Sequence, residues 1–515
     1  MTELATTTYW QDEEPGTIPD YISLDRQGPG LMLAVAILFI SISACFVMLA
    51  YMAPVGISPV MINFACVAML VVLAIHLAVR KAGGGKIDPF TIDAIFVLGM
   101  LAYSFSIWIQ CLLGLIPYEA VTGLAAYEYS TKGVMLCAAA MPAFLAGYLV
   151  RQMTLAAIPA RPMDAQALWV APRLGTVGFV VFVVAVLFRL FHIFVVVGVG
   201  AFFSGHYQTL GIEDTMGTRL YKMGEVFSYL GIIAMSIGYA VNRRKLAPKM
   251  FWPIYAGFVL LLLVDGERGG VFQSLLVLAV VRHQFIKRIK WWQLGVAMVA
   301  LSIVFGAVRV ARGMESRSIS ALVETITGGE GITIQDTFKE TGGSFSALTR
   351  TMRRVPALEG HQYGKSMASG VISTVPFATG MAYRWLGGVD QAYYISPAYW
   401  LTYREAGASG PTSGLGFNSV ADAYLNYGMV GVPIVFFLVG TLLRGVEYKS
   451  YAIPTLGRIM VLIVMVYSTF YWARASVDGW FRPIIWALAI VWVAKVLAGA
   501  PALQTPEALP ELAES

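Results

Sequence analysis

Twelve long apolar runs constrain the fold of this chain more than any other feature of its sequence. Apolar residues make up 58% of its 515 residues and charged residues only 13%, about half of the charged fraction of an average soluble domain. A helix needs roughly 20 mostly apolar residues to cross a bilayer. The runs predict an all-α polytopic membrane protein with about twelve spans, near residues 31–51, 58–79, 91–115, 131–150, 174–199, 223–241, 250–265, 269–286, 293–308, 420–443, 456–473 and 481–498.

The distribution of basic residues predicts the orientation of these spans. Lysine and arginine concentrate in the loops on one side, as in RRKLAPK at 243–249, and such loops usually face the cytoplasm. Both termini are therefore expected in the cytoplasm. The predicted organisation is an acidic cytoplasmic segment 1–30, spans 31–308, a large periplasmic loop 309–417, spans 418–498 and a disordered cytoplasmic tail 499–515.

Arginines collect on the side that should be poor in basic residues. Arg268 lies in the GERGG corner at 266–270, Arg189 lies inside the fifth predicted span, and Arg309, Arg312 and Arg474 lie at the outer ends of other spans. A charge inside a span is costly and often functional, and the guanidinium fork binds phosphate bidentately. These five arginines are candidate ligands of a lipid-linked diphosphate. Arginines at helix ends also reach toward lipid headgroups or pair with nearby acids such as Asp265 and Glu267.

The large loop offers candidate catalytic and sugar-binding residues. Transfer of a sugar to a hydroxyl needs a general base, for which a carboxylate or an imidazole is suitable, and Glu340 and His361 are the candidates. Aromatic side chains with a polar tip suit sugar rings, and Tyr383, Trp385, Tyr399 and Trp400 are the candidate sugar-binding residues. Solvated acids and an interfacial aromatic belt are the ordinary alternatives for both groups.

Other classes of site lack a signature in the sequence. There is no HExxH motif, no P-loop and no dinucleotide fingerprint, and the five histidines are scattered. The four cysteines lie in or beside apolar runs, where cysteine is a small core residue. No metal, no cofactor and no nucleic acid partner are expected.

Three stretches of the sequence form a recognisable set: the GERGG corner, the segment KETGGSFSALTRTMRRVP followed by YGKSMASGVISTVP, and GFNSVADAYLNYGMVGVPIVFFLVG. In their order and sidedness they resemble the O-antigen and oligosaccharide repeat-unit polymerases of bacterial surface-polysaccharide assembly. The resemblance covers roughly residues 180–485. It implies a lipid-linked sugar transferase fold (GT-C-like), shared with O-antigen ligases, in which a periplasmic loop caps the site. In the resemblance, Arg268 matches the corner arginine, Arg309 or Arg312 the arginine before the loop, and Glu340 the loop acid.

The chemistry implied by the resemblance is transfer of a growing glycan from undecaprenyl diphosphate to an incoming lipid-linked repeat unit at the bacterial inner membrane. The expected partners are undecaprenyl diphosphate-linked oligosaccharides and the lipid bilayer, with a chain-length regulator and a flippase as further candidates. Two alternatives stay open: an O-antigen ligase with a different acceptor, and a non-enzymatic flippase or transporter of lipid-linked oligosaccharides. Asp422 and Asn426 are expected either to line the site or to satisfy backbone groups.

Overall fold

The computed structural model describes residues 29–82, 88–122, 128–155, 163–198, 216–312, 342–372, 374–375, 396–406 and 416–499. Over these residues the regular structure is helical, with no strand. Glu340, Tyr383 and Trp385 lie outside the described residues, as do the C-terminal tail from residue 500 and nearly all of the acidic N-terminal segment.

In the described residues, nine long helices precede the large loop, besides a one-turn helix at Glu119–Thr122, and each long helix overlaps one predicted span. Glycine and proline lie at several of their boundaries, and apolar residues fill their interiors. The helices are α1 (Pro29–Met52), α2 (Pro59–Ala82), α3 (Ile92–Leu112), α4 (Ser130–Met153), α5 (Ala165–Val197), α6 (Met216–Arg243), α7 (Phe251–Asp265), α8 (Arg268–Phe285) and α9 (Trp291–Arg312).

The described part of the loop region contains three short α-helices, the first preceded by a 3-10 turn at Gly343–Phe345, and three long helices follow them. The short ones are α10 (Ser346–Arg354), α11 (Lys365–Ile372) and α12 (Pro397–Ala406); the long ones are α13 (Ser419–Ala452), α14 (Leu456–Trp472) and α15 (Asp478–Leu497). Helix α13 bends at Gly428, whose φ of 70° and ψ of −168° are non-helical. A glycine meets this requirement because the left-handed region is open to it without steric cost.

Eight of the described helices contain a stretch long and apolar enough to cross a membrane, namely α1 to α6, α13 and α15. Three more, α7, α14 and the first part of α9, are apolar but shorter, and α8 is in neither group. The chain is therefore a multi-pass helical membrane protein. The count of twelve spans, the transferase architecture and the extent of the periplasmic loop stay predictions.

Small residues set the closest helix contacts. A Cβ on Gly147 of α4 would overlap the backbone of Phe437 in α13, and a Cβ on Gly440 would overlap that of Phe144. Helices α5 and α6 meet in the same way, at Gly178. Without a hydrophobic force between helices in lipid, association depends on such close backbone packing. These helix pairs form the rigid core that positions the loops.

The contacts between helix ends define two faces of the bundle. One face, the loop end, carries α10 to α12, the corner between α7 and α8, and the turn between α14 and α15. There Gly342 packs on Ser106 and Ile107 of α3, and Phe345 packs on Gly133 of α4. The other face, the opposite end, includes the hydrogen bond of 3.0 Å from the Trp169 indole to the carbonyl of Ala498.

Candidate functional site

The GERGG corner is a two-residue turn that reverses the chain between α7 and α8. Gly266 ends α7 with a left-handed φ of 78° and ψ of 14°, a conformation that favours glycine at a helix C-terminus. The amide of Glu267 donates to the carbonyl of Leu262 at 2.7 Å. Helix α8 then begins directly at Arg268. The first glycine therefore allows an abrupt corner that presents two adjacent charged side chains.

The other two glycines of the corner allow close packing of two tyrosines. A Cβ on Gly270 would lie 2.6 Å from the hydroxyl oxygen of Tyr229, and a Cβ on Gly269 would overlap the hydroxyl of Tyr471. Tyr229 is buried, with 3% of its surface exposed. The first turn of α8 is consequently fixed between α6 and α14, and with it the position of Arg268.

Arg189 is buried beside the corner and binds its acid. Only 1% of Arg189 is exposed, and its guanidinium donates to the two carboxylate oxygens of Glu267 at 2.6 and 3.4 Å. The guanidinium also lies 4.8 Å from the ring centre of Tyr221 and 5.6 Å from that of Phe258. The charge predicted inside the fifth span is therefore compensated by a carboxylate and two aromatic faces.

Tyr221 extends this network to the second acid of the corner. Its hydroxyl donates to Asp265 at 2.7 Å and lies 3.4 Å from Glu267. The ring of His192 lies 4.9 Å from that of Tyr221. The corner acids, Arg189 and His192 thus form one polar cluster at the loop end of α5 to α8.

Arg474 and Arg268 lie at the same end of α14. The Arg474 guanidinium lies 5.9 Å from the Tyr103 ring centre of α3, and its Nε lies 3.9 Å from the Cβ position of Gly416. Gly269, next to Arg268, packs on the hydroxyl of Tyr471, three residues before Arg474. Arg474 is exposed and Arg268 is half-buried. The fold therefore places three of the five predicted phosphate ligands, Arg189, Arg268 and Arg474, at the loop end.

Arg309 and Arg312 belong to the last turns of α9. Their side chains lie outside the described part of the structure, so their role as phosphate ligands stays a prediction.

His361 sits against the bend of α13. Its Nε2 lies 3.3 Å from the Cβ position of Gly428, and its ring lies 5.8 Å from that of Tyr424. Its Nδ1 is buried and has no hydrogen-bond partner among the described residues. Backbone bonds hold the adjoining segment, since the amide of Gln362 donates to Leu425 at 3.0 Å.

Asp422 and Asn426 are buried and connect three segments of the loop end. Asp422 accepts hydrogen bonds from Ser366 of α11 at 3.1 Å and from the backbone amide of Val477 at 3.0 Å. Asn426 donates to Ser366 at 2.7 Å and accepts from the amide of Gly364 at 2.9 Å. The two residues therefore hold the His361 segment and the turn after Arg474 in one arrangement.

The two predicted sugar-binding aromatics that are described lie on α12. Trp400 is 1% exposed, and its indole donates to Glu359 at 3.1 Å. Tyr399 is half-buried. Trp400 therefore packs inside the loop region in this structure.

Sequence reasoning missed the hydroxyls that surround the arginines and a second arginine cluster. Tyr103, Tyr221 and Tyr229 lie in apolar helices, where the sequence does not distinguish a functional tyrosine from a residue of the hydrophobic core. The second cluster joins Glu405 of α12 to Arg350, Arg353 and Arg354 of α10. Although burial raises the pKa of Glu405, hydrogen bonds from these three arginines hold that pKa below its usual range. The described residues contain no group of three or more histidine, cysteine or acidic side chains that could hold a metal ion.

Comparison with known proteins identifies one matching family and one curated relative. The family model described as O-antigen polysaccharide polymerase Wzy matches residues 33–500. Protein CapE of Staphylococcus aureus is 28% identical over 260 residues, which are 49% of this chain and 53% of that protein. The chain thus spans about half the length of this curated relative. No solved structure shows a significant match.

Proposed function

The chain belongs to the O-antigen polysaccharide polymerase Wzy family, and we propose that it transfers a growing glycan from undecaprenyl diphosphate to an incoming lipid-linked repeat unit. The observation that carries this proposal is the placement of Arg268 and Arg474 at the loop end, with Arg474 5.9 Å from the Tyr103 ring centre, beside the Arg189–Glu267 pair. Cationic groups at the end of an apolar helix bundle suit a substrate with a lipid tail and a phosphate head.

The donor diphosphate would bind to the arginines at the loop end. Arg268 and Arg474, which have exposed surface, would contact its oxygens, with Arg309 and Arg312 as further ligands. Arg189 is paired with Glu267 and 1% exposed, so its part would be to hold the corner in place. Fixed guanidinium groups stabilise the charge that develops on a leaving diphosphate, and we propose that they do so here without a metal ion.

The acceptor hydroxyl would lose its proton to Glu340 or His361. The hydroxyl oxygen forms a bond to the anomeric carbon of the donor as the bond from that carbon to the diphosphate oxygen breaks. The proton passes to the base, and undecaprenyl diphosphate leaves with the bonding electrons. In-line displacement inverts the anomeric configuration, and the energy comes from the diphosphate. The His361 ring lies at the α13 bend, with Nε2 3.3 Å from the Cβ position of Gly428.

The same proposal includes the side of the membrane that the site faces, the sugar path and the partners. The site would face the periplasm at the inner membrane, with both termini in the cytoplasm. Tyr383, Trp385 and Tyr399 would line the sugar path, with the buried Trp400 supporting them from inside the loop region. A chain-length regulator and a flippase would be partners.

The test is polymerisation by the purified protein in detergent. It is incubated with an undecaprenyl diphosphate-linked oligosaccharide, a chelator and no nucleotide sugar, and the products are separated on a gel. A ladder of lengths is expected from the wild type and none from Arg268→Ala. Product formed only when lipid A-core is added would identify a ligase instead. Polymerisation that stops on chelation would contradict the metal-independent site.

A further inference from the structure

An exposed aromatic side chain beside His361 is held by an unusual backbone. Tyr363 follows His361 by two residues, and 76% of its surface is exposed. Its φ is 48°, in the left-handed region that residues with a Cβ seldom adopt. Such a conformation persists only where the surrounding structure enforces it, and it is concentrated at catalytic and ligand-binding sites. Tyr363 is therefore a candidate for a role in binding.

Hydrogen bonds to α13 enforce this backbone conformation. The amide of Tyr363 donates to the carbonyl of Asn426 at 3.1 Å, and the amide of Gly364 donates to the side-chain oxygen of Asn426 at 2.9 Å. Asn426 itself is fully buried. Gly364 is also left-handed, with a φ of 88°, directly before α11 begins at Lys365. Because the backbone is fixed, a ligand on the Tyr363 ring would order little more than that side chain.

Packing does not account for the Tyr363 ring. The ring meets that of His361 edge to face, with centres 6.3 Å apart and planes at 70°, but most of its surface stays exposed. Tyr424, the other tyrosine whose ring approaches His361, is in contrast 3% exposed, and its hydroxyl donates to the carbonyl of Val355 at 2.8 Å. Tyr424 therefore supports the fold, whereas Tyr363 presents an aromatic surface to a ligand.

We propose that the non-reducing sugar of the incoming repeat unit stacks on the ring of Tyr363, which holds the acceptor hydroxyl beside His361. An aromatic face is apolar while its rim is polar at the hydroxyl, which matches the C–H face and the hydroxyl rim of a sugar ring. The 6.3 Å between the two ring centres places a sugar on Tyr363 within reach of the imidazole. The inference rests on the proposed function and adds a binding residue that forms no bond in the reaction.

The competing explanation is a tyrosine of the lipid interface, where such residues are common. One side of α13 beyond its bend faces outward, since Val430, Ile434 and Leu438 are each more than half exposed. Exposure of Tyr363 alone would fit this explanation. The left-handed backbone and the adjoining imidazole favour the sugar, because an interfacial tyrosine requires neither.

The test measures binding of the acceptor glycan without turnover. The probe is the repeat-unit oligosaccharide released by mild acid from the lipid-linked pool of the cells that make this protein, so it carries neither diphosphate nor lipid tail. Saturation-transfer NMR with the full-length protein in detergent reports which protons of the probe contact the protein. The ring C–H protons of the non-reducing sugar are expected to receive the strongest transfer from the wild type.

Two variants of Tyr363 separate its aromatic face from its hydroxyl and its apolar area. Tyr363→Phe keeps the face and should retain binding. Tyr363→Leu keeps apolar area without an aromatic face and should weaken binding about tenfold, the order of an aromatic stacking contact. Unchanged binding by Tyr363→Leu, or an equal loss in both variants, would overturn the proposal. Absence of transfer to the non-reducing sugar in the wild type would overturn it as well.

Tyr363→Asn tests whether the fold needs the ring. Asparagine adopts the left-handed region more readily than tyrosine, and the ring it replaces is mostly exposed. The melting temperature should therefore equal or exceed that of the wild type while oligosaccharide binding falls. A lower melting temperature would give the ring a structural role and contradict the proposal.

Two controls exclude other sources of the effect. Tyr403→Ala removes another exposed tyrosine of the loop region, on α12, and should leave binding unchanged. Melting is also measured in nanodiscs, where a loss of stability in Tyr363→Leu with unchanged oligosaccharide binding would assign the ring to the lipid interface and overturn the proposal. Because the probe carries no diphosphate, its binding does not depend on Arg268, and failure of the polymerase proposal would be seen separately, in the gel ladder.

Discussion

Both ends of the helix bundle contain buried charged side chains, but the two ends differ in how exposed the neighbouring charged side chains are. At the opposite end, Asp93 is fully buried between His76 at 2.7 Å and Arg80 at 2.7 Å. A second group there joins Arg444 and Glu447 at 2.8 Å. At the loop end, Arg189 is paired in the same way, but Arg268 and Arg474 beside it have exposed surface.

The difference distinguishes charge that joins helices from charge that is available to a ligand. The Arg444–Glu447 pair also engages the Tyr148 hydroxyl of α4, so it fastens α13 to α4. A buried ion pair adds little net stability but is costly to break. Among the described residues of the loop end, Arg189–Glu267 is such a pair, and further arginines lie around it. Variants should therefore fall into two groups, with defects in folding or in function.

The largest effect on folding is expected from Glu447→Ala. It leaves Arg444, which is 5% exposed, without a carboxylate, and should cost about 3–5 kcal/mol of unfolding free energy. Thermal unfolding in detergent, followed by size-exclusion chromatography, measures the loss. The triple variant Tyr148→Phe, Arg444→Met, Glu447→Leu removes all three partners together and should regain most of the stability. A triple variant as unstable as Glu447→Ala would contradict the view that the unpaired charge of Arg444 causes the loss of stability.

Arg189→Ala tests which group this residue belongs to. The variant leaves Glu267 unpaired and removes the contacts with Tyr221 and Phe258. Because the Glu267 side chain is 16% exposed, the cost should be smaller, about 2–3 kcal/mol. A folded protein of normal melting temperature but without activity would move Arg189 into the ligand-binding group.

Gly270→Ala tests the close packing at the GERGG corner. The added methyl group would lie 2.6 Å from the Tyr229 hydroxyl, and overpacking of this kind costs about 1–3 kcal/mol. Adding Tyr229→Phe removes the opposing oxygen and should recover most of the loss. Gly257→Ala, at a position with open space around it, is the matched control. An unaltered melting temperature in Gly270→Ala alone would contradict the close packing.

The smallest effect is expected from acid on the cluster of Glu405 with Arg350, Arg353 and Arg354. The pKa of Glu405 is lowered in the folded state, so its contribution is present above the unfolded value of about 4.3. That contribution is lost as pH falls through the folded pKa, because protonation removes the charge that binds the arginines. Hydrogen exchange in α12, corrected for intrinsic rates, should rise below about pH 4 relative to α4. Glu405→Gln should show the faster exchange already at neutral pH.

The sequence predicted the positions of the helices well, because apolar runs and charge breaks are local signals. Eight of the twelve predicted spans coincide with helices long and apolar enough to cross a membrane, and the count of twelve stays a prediction. It also placed Arg189, Arg268 and Arg474 at one end of the bundle, since alternating spans return the chain to the same face. The family resemblance from the GERGG corner onward is confirmed by the match over residues 33–500.

The partners of these residues could not be predicted in the same way. Glu267 binds Arg189, which is 78 residues away, and Glu405 binds Arg353 across 52 residues. Such pairs depend on how helices pack, and one sequence carries no signal for that. Asp422 illustrates the point, since its bonds to Ser366 and Val477 join segments that only the fold brings together.

The most direct measurement compares polymer length among three proteins of verified fold. Wild type, Arg268→Ala and the triple variant Tyr148→Phe, Arg444→Met, Glu447→Leu are incubated with the same undecaprenyl diphosphate-linked oligosaccharide. The account predicts a ladder from the wild type and the triple variant. It predicts at least a 100-fold loss of product from Arg268→Ala, the effect of removing a charge-stabilising group from an active site. A full ladder from Arg268→Ala, or its loss in a well-folded triple variant, would contradict the division between a ligand-binding loop end and a structural opposite end.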